Sequence, residues 1–196
     1  MKEILILNGG AAYSESGGKL NLTLSELMAQ ELAKLGKNTT IMHIAQGYEI
    51  KAEVAKWHKA ECVIWQIPGW WFDTPWMVKK YLDEVLGDEA VGVLFTGDGR
   101  SREDESKRYG SGGLCQGKAV MLSSTWNAPL YAFNQVGEFF DGRGVDEVFA
   151  HFYKIHQFIG FSKFLPSFML NDVHKKPNFS QWEADLKAHI RANFKE

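Results

Sequence analysis

At 196 residues the chain is long enough for one domain and short of two, and with 45% hydrophobic residues it can fill a core. A formal net charge of -2 excludes a basic footprint for nucleic acid and an acidic tail, which leaves a near-neutral protein with a small-molecule partner as the expectation. Cys62 and Cys115 stand far apart, with no CxxC spacing and no companion histidines, so neither a disulfide framework nor a metal site is expected.

The first apolar run, Ile4–Leu7, stops at Asn8-Gly9-Gly10, too early for a signal peptide or a membrane span. It reads as a strand, and the expectation is a cytoplasmic protein without membrane insertion. After a polar loop, Leu20, Leu24, Met28, Leu32 and Leu35 recur at steps of three and four, which predicts a helix stopped by Gly36. TTIMHI (39–44) reads as a second strand and AEVAKWHKAE (52–61) as a short helix. CVIWQI (62–67) is an unbroken apolar run of the kind buried on both faces, and Pro75 suits the first turn of a following helix. AVGVLFT (90–96) and KAVMLSST (118–125) read as the fourth and fifth strands. The glycine-rich polar segment between them is too long to be idle in a compact domain. Helix-like stretches surround Gly142 and Gly144, VDEVFAHFYKIHQFIGF (145–161) reads as a helix, and the tail places Phe179, Trp182, Leu186, Ile190 and Phe194 on one helical face against the sheet or a partner subunit. The alternation of strands and helices predicts a single α/β domain over residues 1–196, with a five-stranded parallel sheet between two helical layers.

In an open parallel sheet, ligands bind beyond the carboxyl ends of the strands, so the chemistry is sought in the loops there. The loop after the first strand, GGAAYSESGGKLNLT (9–23), is small and hydroxylic and runs into a helix start, a place suited to phosphate. It matches neither the Walker A pattern nor GxGxxG, and by itself it could be an ordinary capped loop. The loop after the third strand, PGWWFDTPW (68–76), joins a close-approach turn to three tryptophans, a flat apolar bed for a ring or a subunit contact. The loop after the fifth strand, TWNAP (125–129), is again small and polar around one tryptophan. Three such loops at one end of one sheet carry more weight together than any one alone.

NGG, SGGKLN, VIWQIPGWW, PWMVKKYLD, GDGR, KRYGSGGL and STWNAP, in that order over nearly the whole chain, resemble the modulator of drug activity B family. The resemblance implies a flavodoxin-like fold, bound FAD, a homodimer, and two-electron reduction of quinones by NADPH or NADH in a ping-pong cycle. It places Ser16, Gly17, Gly18, Lys19, Leu20, Asn21, Leu22 and Thr23 at the pyrophosphate and ribityl chain. Pro68, Gly69, Trp70, Trp71 and Phe72 form the flavin bed, and Thr125, Trp126, Asn127 and Ala128 form a second flavin loop. Tyr109 matches a tyrosine that approaches the flavin from either subunit and is the candidate catalytic residue. Gly69 is expected to be essential because a side chain there would hold the backbone off the ring or because its turn needs a positive φ.

The histidines show no ligand pairing such as HExxH and read as surface or packing residues. Lys79 and Lys80 are candidates for offsetting a reduced flavin's charge, and Arg100, Arg102 and Arg108 for meeting the NADPH phosphates. The rival readings are an FMN-binding electron carrier, against which the near-neutral charge counts, and an azo- or nitro-compound reductase of the same fold.

Overall fold

The structure, a computed structural model, describes residues 1–14 and 16–195. Strands β1 (Glu3–Asn8), β2 (Asn38–His43), β3 (Cys62–Pro68) and β4 (Ala119–Thr125) are joined by crossover helices α1 (Lys19–Lys34), α2 (Ile50–Lys59) and α3 (Trp76–Val85). Helices α4 (Val145–Val148) and α5 (Ala150–Phe158), short strands β5 (Lys163–Phe164) and β6 (Phe168–Leu170), and helix α6 (Phe179–Phe194) complete the chain. All pairings are parallel, in the order β2-β1-β3-β4, with β5 and β6 both on the outer edge of β4.

Alternation along the central strands divides the core in two. Leu5, Leu7, Val63, Trp65, Ile67, Val120 and Leu122 face the layer of α2, α3 and α5, while Ile4, Ile6, Cys62, Ile64 and Met121 face α1 and α6. The expected three layers are therefore present. The tail helix buries Leu186, Ile190 and Phe194 against α1 within the same chain, and Arg191 pairs with the buried Glu31 of α1 at 2.5 Å. Trp182 is half-buried, whereas Phe179 at the start of α6 is exposed.

Two expectations are corrected. Residues 90–96 form no strand of the sheet. Gly92 (φ +81°) turns the chain so that its N–H donates to the Phe95 carbonyl, while the Val93 and Leu94 amides donate back to Ala90. The fifth position of the sheet belongs instead to β5 and β6, which are one edge strand interrupted at Pro166: β5 pairs with Ala119–Val120 and β6 with Ser123–Thr125. The helix expected over 145–161 is divided at Phe149, whose ring is fully buried and whose backbone leaves helical geometry (φ -94°, ψ 22°).

Candidate functional site

β3 and β4 end at one level, Pro68 opposite Thr125, and β1 ends two residues short of it, Asn8 opposite Gln66, so the loops that follow them meet. Backbone hydrogen bonds knit this rim: Gly9 donates to the Gln66 carbonyl, Gly69 to Thr125, Trp126 to Leu170 and Val173 to Trp126. Beneath it runs a buried polar chain. Ser123 Oγ donates to Gln66 Oε1 at 2.6 Å, Gln66 Nε2 donates to Asn21 Oδ1 at 2.7 Å, and Thr125 Oγ1 donates to the same oxygen at 3.3 Å. The chain locks the start of α1 to the ends of β3 and β4. Both bonds to Asn21 use its oxygen, so its amide N–H groups have no protein partner among the described residues.

A cavity of about 320 Å³ opens on this rim. It brings together Ser16, Gly17, Gly18, Lys19, Leu20 and Asn21 from the first loop, Pro68, Gly69 and Trp70 from the second, and Thr125 and Asn127 from the third. Its chemistry suits an anion. α1 starts at Gly18 with no capping side chain and no acidic residue in its first turn, whereas α2 is capped by Glu49 and α6 by Asn178. The free N–H groups of the first α1 turn therefore carry their full positive end into the cavity. Lys19 and His174 line it, and no carboxylate does among the described residues. Gly18 cannot be replaced freely: its φ is +69°, and a Cβ would lie 2.7 Å from the Ala11 carbonyl carbon.

The other expected site residues lie elsewhere in the monomer. Leu22 and Thr23 continue along α1, where Thr23 Oγ1 donates to the Lys19 carbonyl. Trp126 turns its ring into the core among Phe133, Phe140 and Phe149, with Nε1 donating to Ser124 Oγ at 2.9 Å. Trp71 is 83% exposed, and Phe72 and Ala128 line a separate hollow of about 350 Å³. Tyr109, 70% exposed, lines a third cavity of about 610 Å³ beside Phe158, with the Arg100 guanidinium 5.7 Å from its ring. That guanidinium is engaged by Asp98, whose carboxyl it holds below the ordinary range.

The reason anticipated for Gly69 also changes. Its φ is not positive; a Cβ there would lie 2.5 Å from the Trp126 ring, so packing demands the glycine. The unusual backbone begins two residues further on. Trp71 (φ 47°) and Phe72 (φ 69°) sit at the two central positions of a tight turn closed by reciprocal Trp70–Asp73 hydrogen bonds of 2.9 and 3.0 Å. Such a turn ordinarily takes Asn-Gly; two bulky aromatics there are strained and mark a place where something other than stability selects them.

Sequence reasoning missed Val173 and His174, which close the cavity from the loop after β6. The signal was the turn-forming stretch Asn171-Asp172, but the strand before it is too short to announce a strand-end loop.

Fold and cavity together define a class: over residues 2–192 the chain matches the flavodoxin-like fold family. It is 46% identical over 191 residues to NADPH:quinone oxidoreductase MdaB of Haemophilus influenzae, covering 97% of this chain and 98% of that one. The chain belongs to the modulator of drug activity B family. Among solved structures, a candidate quinone reductase of Klebsiella pneumoniae superposes with a TM-score of 0.76 at 20% identity, covering 98% of this chain and 83% of that one. General stress protein 14 of Treponema denticola, in complex with FMN, superposes with a TM-score of 0.62 at 17% identity, covering 98% and 95%. At those identities both likenesses speak for the fold.

Proposed function

We propose that the chain is a flavin-dependent NADPH:quinone oxidoreductase that holds FAD in the 320 Å³ cavity at the carboxyl edge of the sheet. The observation that carries this reading is the meeting of three strand-end loops at an uncapped helix start with no acidic residue in its first turn, in a chain 46% identical to a protein named for that activity. The residues fit the cofactor. The first-turn amides of α1, Lys19 and Ser16 offer donors and charge to the phosphates, Asn21 offers its amide group to the ribityl chain, and Pro68–Trp70 with Thr125 and Asn127 seat the ring. The flavin, when bound, supplies the exchange of a hydride between nicotinamide and acceptor, one partner replacing the other in a ping-pong cycle. The chain's part is to hold, align and exclude water. Tyr109 lies away from this cavity in the monomer, which agrees with a homodimer in which the partner's copy reaches the ring; we assign it that role.

Release of the cofactor by denaturation, followed by its mass, tests the reading. FAD is the expected product. FMN alone, as in the Treponema denticola neighbour, would replace the cofactor and leave the site, whereas a protein that neither carries nor takes up flavin would overturn the function.

A further inference from the structure

A second cavity, of about 540 Å³, shares Trp70 with the cofactor cavity as a common wall. Tyr13, stacked on Trp70 with ring centroids 4.3 Å apart, forms its wall together with Trp71, Trp76, Phe152 and Ile155. Set into these flat apolar walls is one polar pair: His151, near the start of α5, and Asp73, the last residue of the strained aromatic turn, with Nε2 and Oδ1 3.0 Å apart. The other titratable groups lining the cavity are the Tyr13 phenol and Lys79, whose ammonium is paired with Asp83 one turn further along α3.

We infer that this second cavity is the acceptor site, that it takes a flat, uncharged quinone, and that His151, held by Asp73, delivers the acceptor's proton. The inference rests on the oxidoreductase reading above. Aromatic walls with one convergent polar group suit a planar ring that must be oriented at a carbonyl. Reduction of a quinone to its hydroquinone needs a hydride, which brings two electrons and one proton, and a second proton on the oxygen left negative. NADPH supplies the hydride by way of the flavin. The imidazolium supplies the second proton: its N–H bond breaks, the electron pair stays on the ring, and the new O–H bond neutralises the oxygen. Asp73 accepts from Nε2 and fixes the ring, which leaves Nδ1 as the delivering nitrogen. Both side chains are 55% exposed, so the ring regains its proton from water between turnovers.

The experiment compares two acceptors in wild type and His151→Gln. Glutamine still donates to Asp73 and keeps the turn tied to α5, but it carries no transferable proton. Ferricyanide takes electrons without protons. The expected result is a loss on the order of 10²-fold in kcat/KM with 1,4-benzoquinone, with ferricyanide reduction and flavin content within about twofold of wild type. Independently of turnover, titrating 1,4-naphthoquinone into cofactor-free protein should quench the cavity's tryptophan fluorescence in wild type and His151→Gln, and the quench should weaken in Thr74→Trp, which narrows the cavity. Quinone kcat/KM within twofold of wild type in His151→Gln, a parallel loss with ferricyanide, or an unchanged quench in Thr74→Trp would each overturn the inference. A wild-type protein that takes up no flavin would instead defeat the cofactor assignment, and the quench would still report on this cavity alone.

Discussion

Gly18, Gly69 and Trp71 each hold their place for a different physical reason, and substitution separates the reasons. Gly18→Ala meets both a left-handed φ of +69° and the Ala11 carbonyl, a strain of about 1–3 kcal/mol at the helix start. Its expected effect is weaker binding of FAD and FMN by isothermal titration, with global unfolding in urea displaced less than binding. Gly69→Ala sets a methyl against the Trp126 ring at 2.5 Å, an overpacking cost of about 1–3 kcal/mol that should lower the urea midpoint with unchanged m-value. Trp71→Gly works in the opposite sense. The ring is largely in water and glycine accepts φ 47° without cost, so the variant should be as stable as wild type or more so by up to about 1 kcal/mol. It should nevertheless lose quinone turnover; a variant that is destabilised yet fully active would show that the aromatic is there for folding.

At the level of the elements, two contacts set how the layers respond to pH and to mutation. His156 on α5 is fully buried, with its Nδ1 paired to the Phe152 carbonyl and its Nε2 accepting from Trp65 Nε1 at 2.8 Å. That arrangement needs a neutral ring, and burial pushes the imidazole pKa down to about 4. The unfolded chain, titrating near about 6.5, binds the proton first, so the stability from this site is complete above that value and is lost as pH falls toward 4. A decline of about 3 kcal/mol in unfolding free energy between pH 7 and pH 4 is expected, with a shallower slope in His156→Asn. Lys118, at the start of β4, reaches back to the α2 C-terminus, where Nζ donates to the carbonyls of Trp57, His58 and Ala60 at 3.1, 2.5 and 2.5 Å. The ammonium satisfies two carbonyls of the last α2 turn and that of Ala60 just beyond it, at the negative end of the helix dipole. Lys118→Met strips those acceptors and should cost about 1.5–3 kcal/mol in urea unfolding. The elements that could be read from sequence are those with a full period of apolar residues: the Leu20–Leu35 stripe of α1, the unbroken Cys62–Ile67 of β3, and the face of α6. Residues 90–96 are as apolar as a strand, and only the turn at Gly92 tells them apart. The edge strand escaped because it comes in pieces of two and three residues, and with it went the loop that carries His174. Asp73 and His151 lie 78 positions apart, and only the packing of α5 beside the aromatic turn makes them a pair.

For the molecule as a whole, the exposed surface carries Trp71, Trp76, Tyr109, Tyr131, Val136 and Phe139, large apolar side chains of the kind that mark an association surface. Light scattering at micromolar concentration is expected to give twice the monomer mass, and a monomer that keeps full activity would remove the need for a second subunit at the site. Which surfaces can meet is narrowed by the break at Pro166. An uninterrupted outer strand would offer a continuous row of amide and carbonyl groups on which another chain could align, and copies would then join into an endless ribbon. Here that row is cut: proline has no amide to give, and the pieces on either side are too short to template a partner strand. Growth across that border is closed off, which leaves β2 (Asn38–His43) as the sheet's other edge, where strand pairing can join two copies but cannot propagate further.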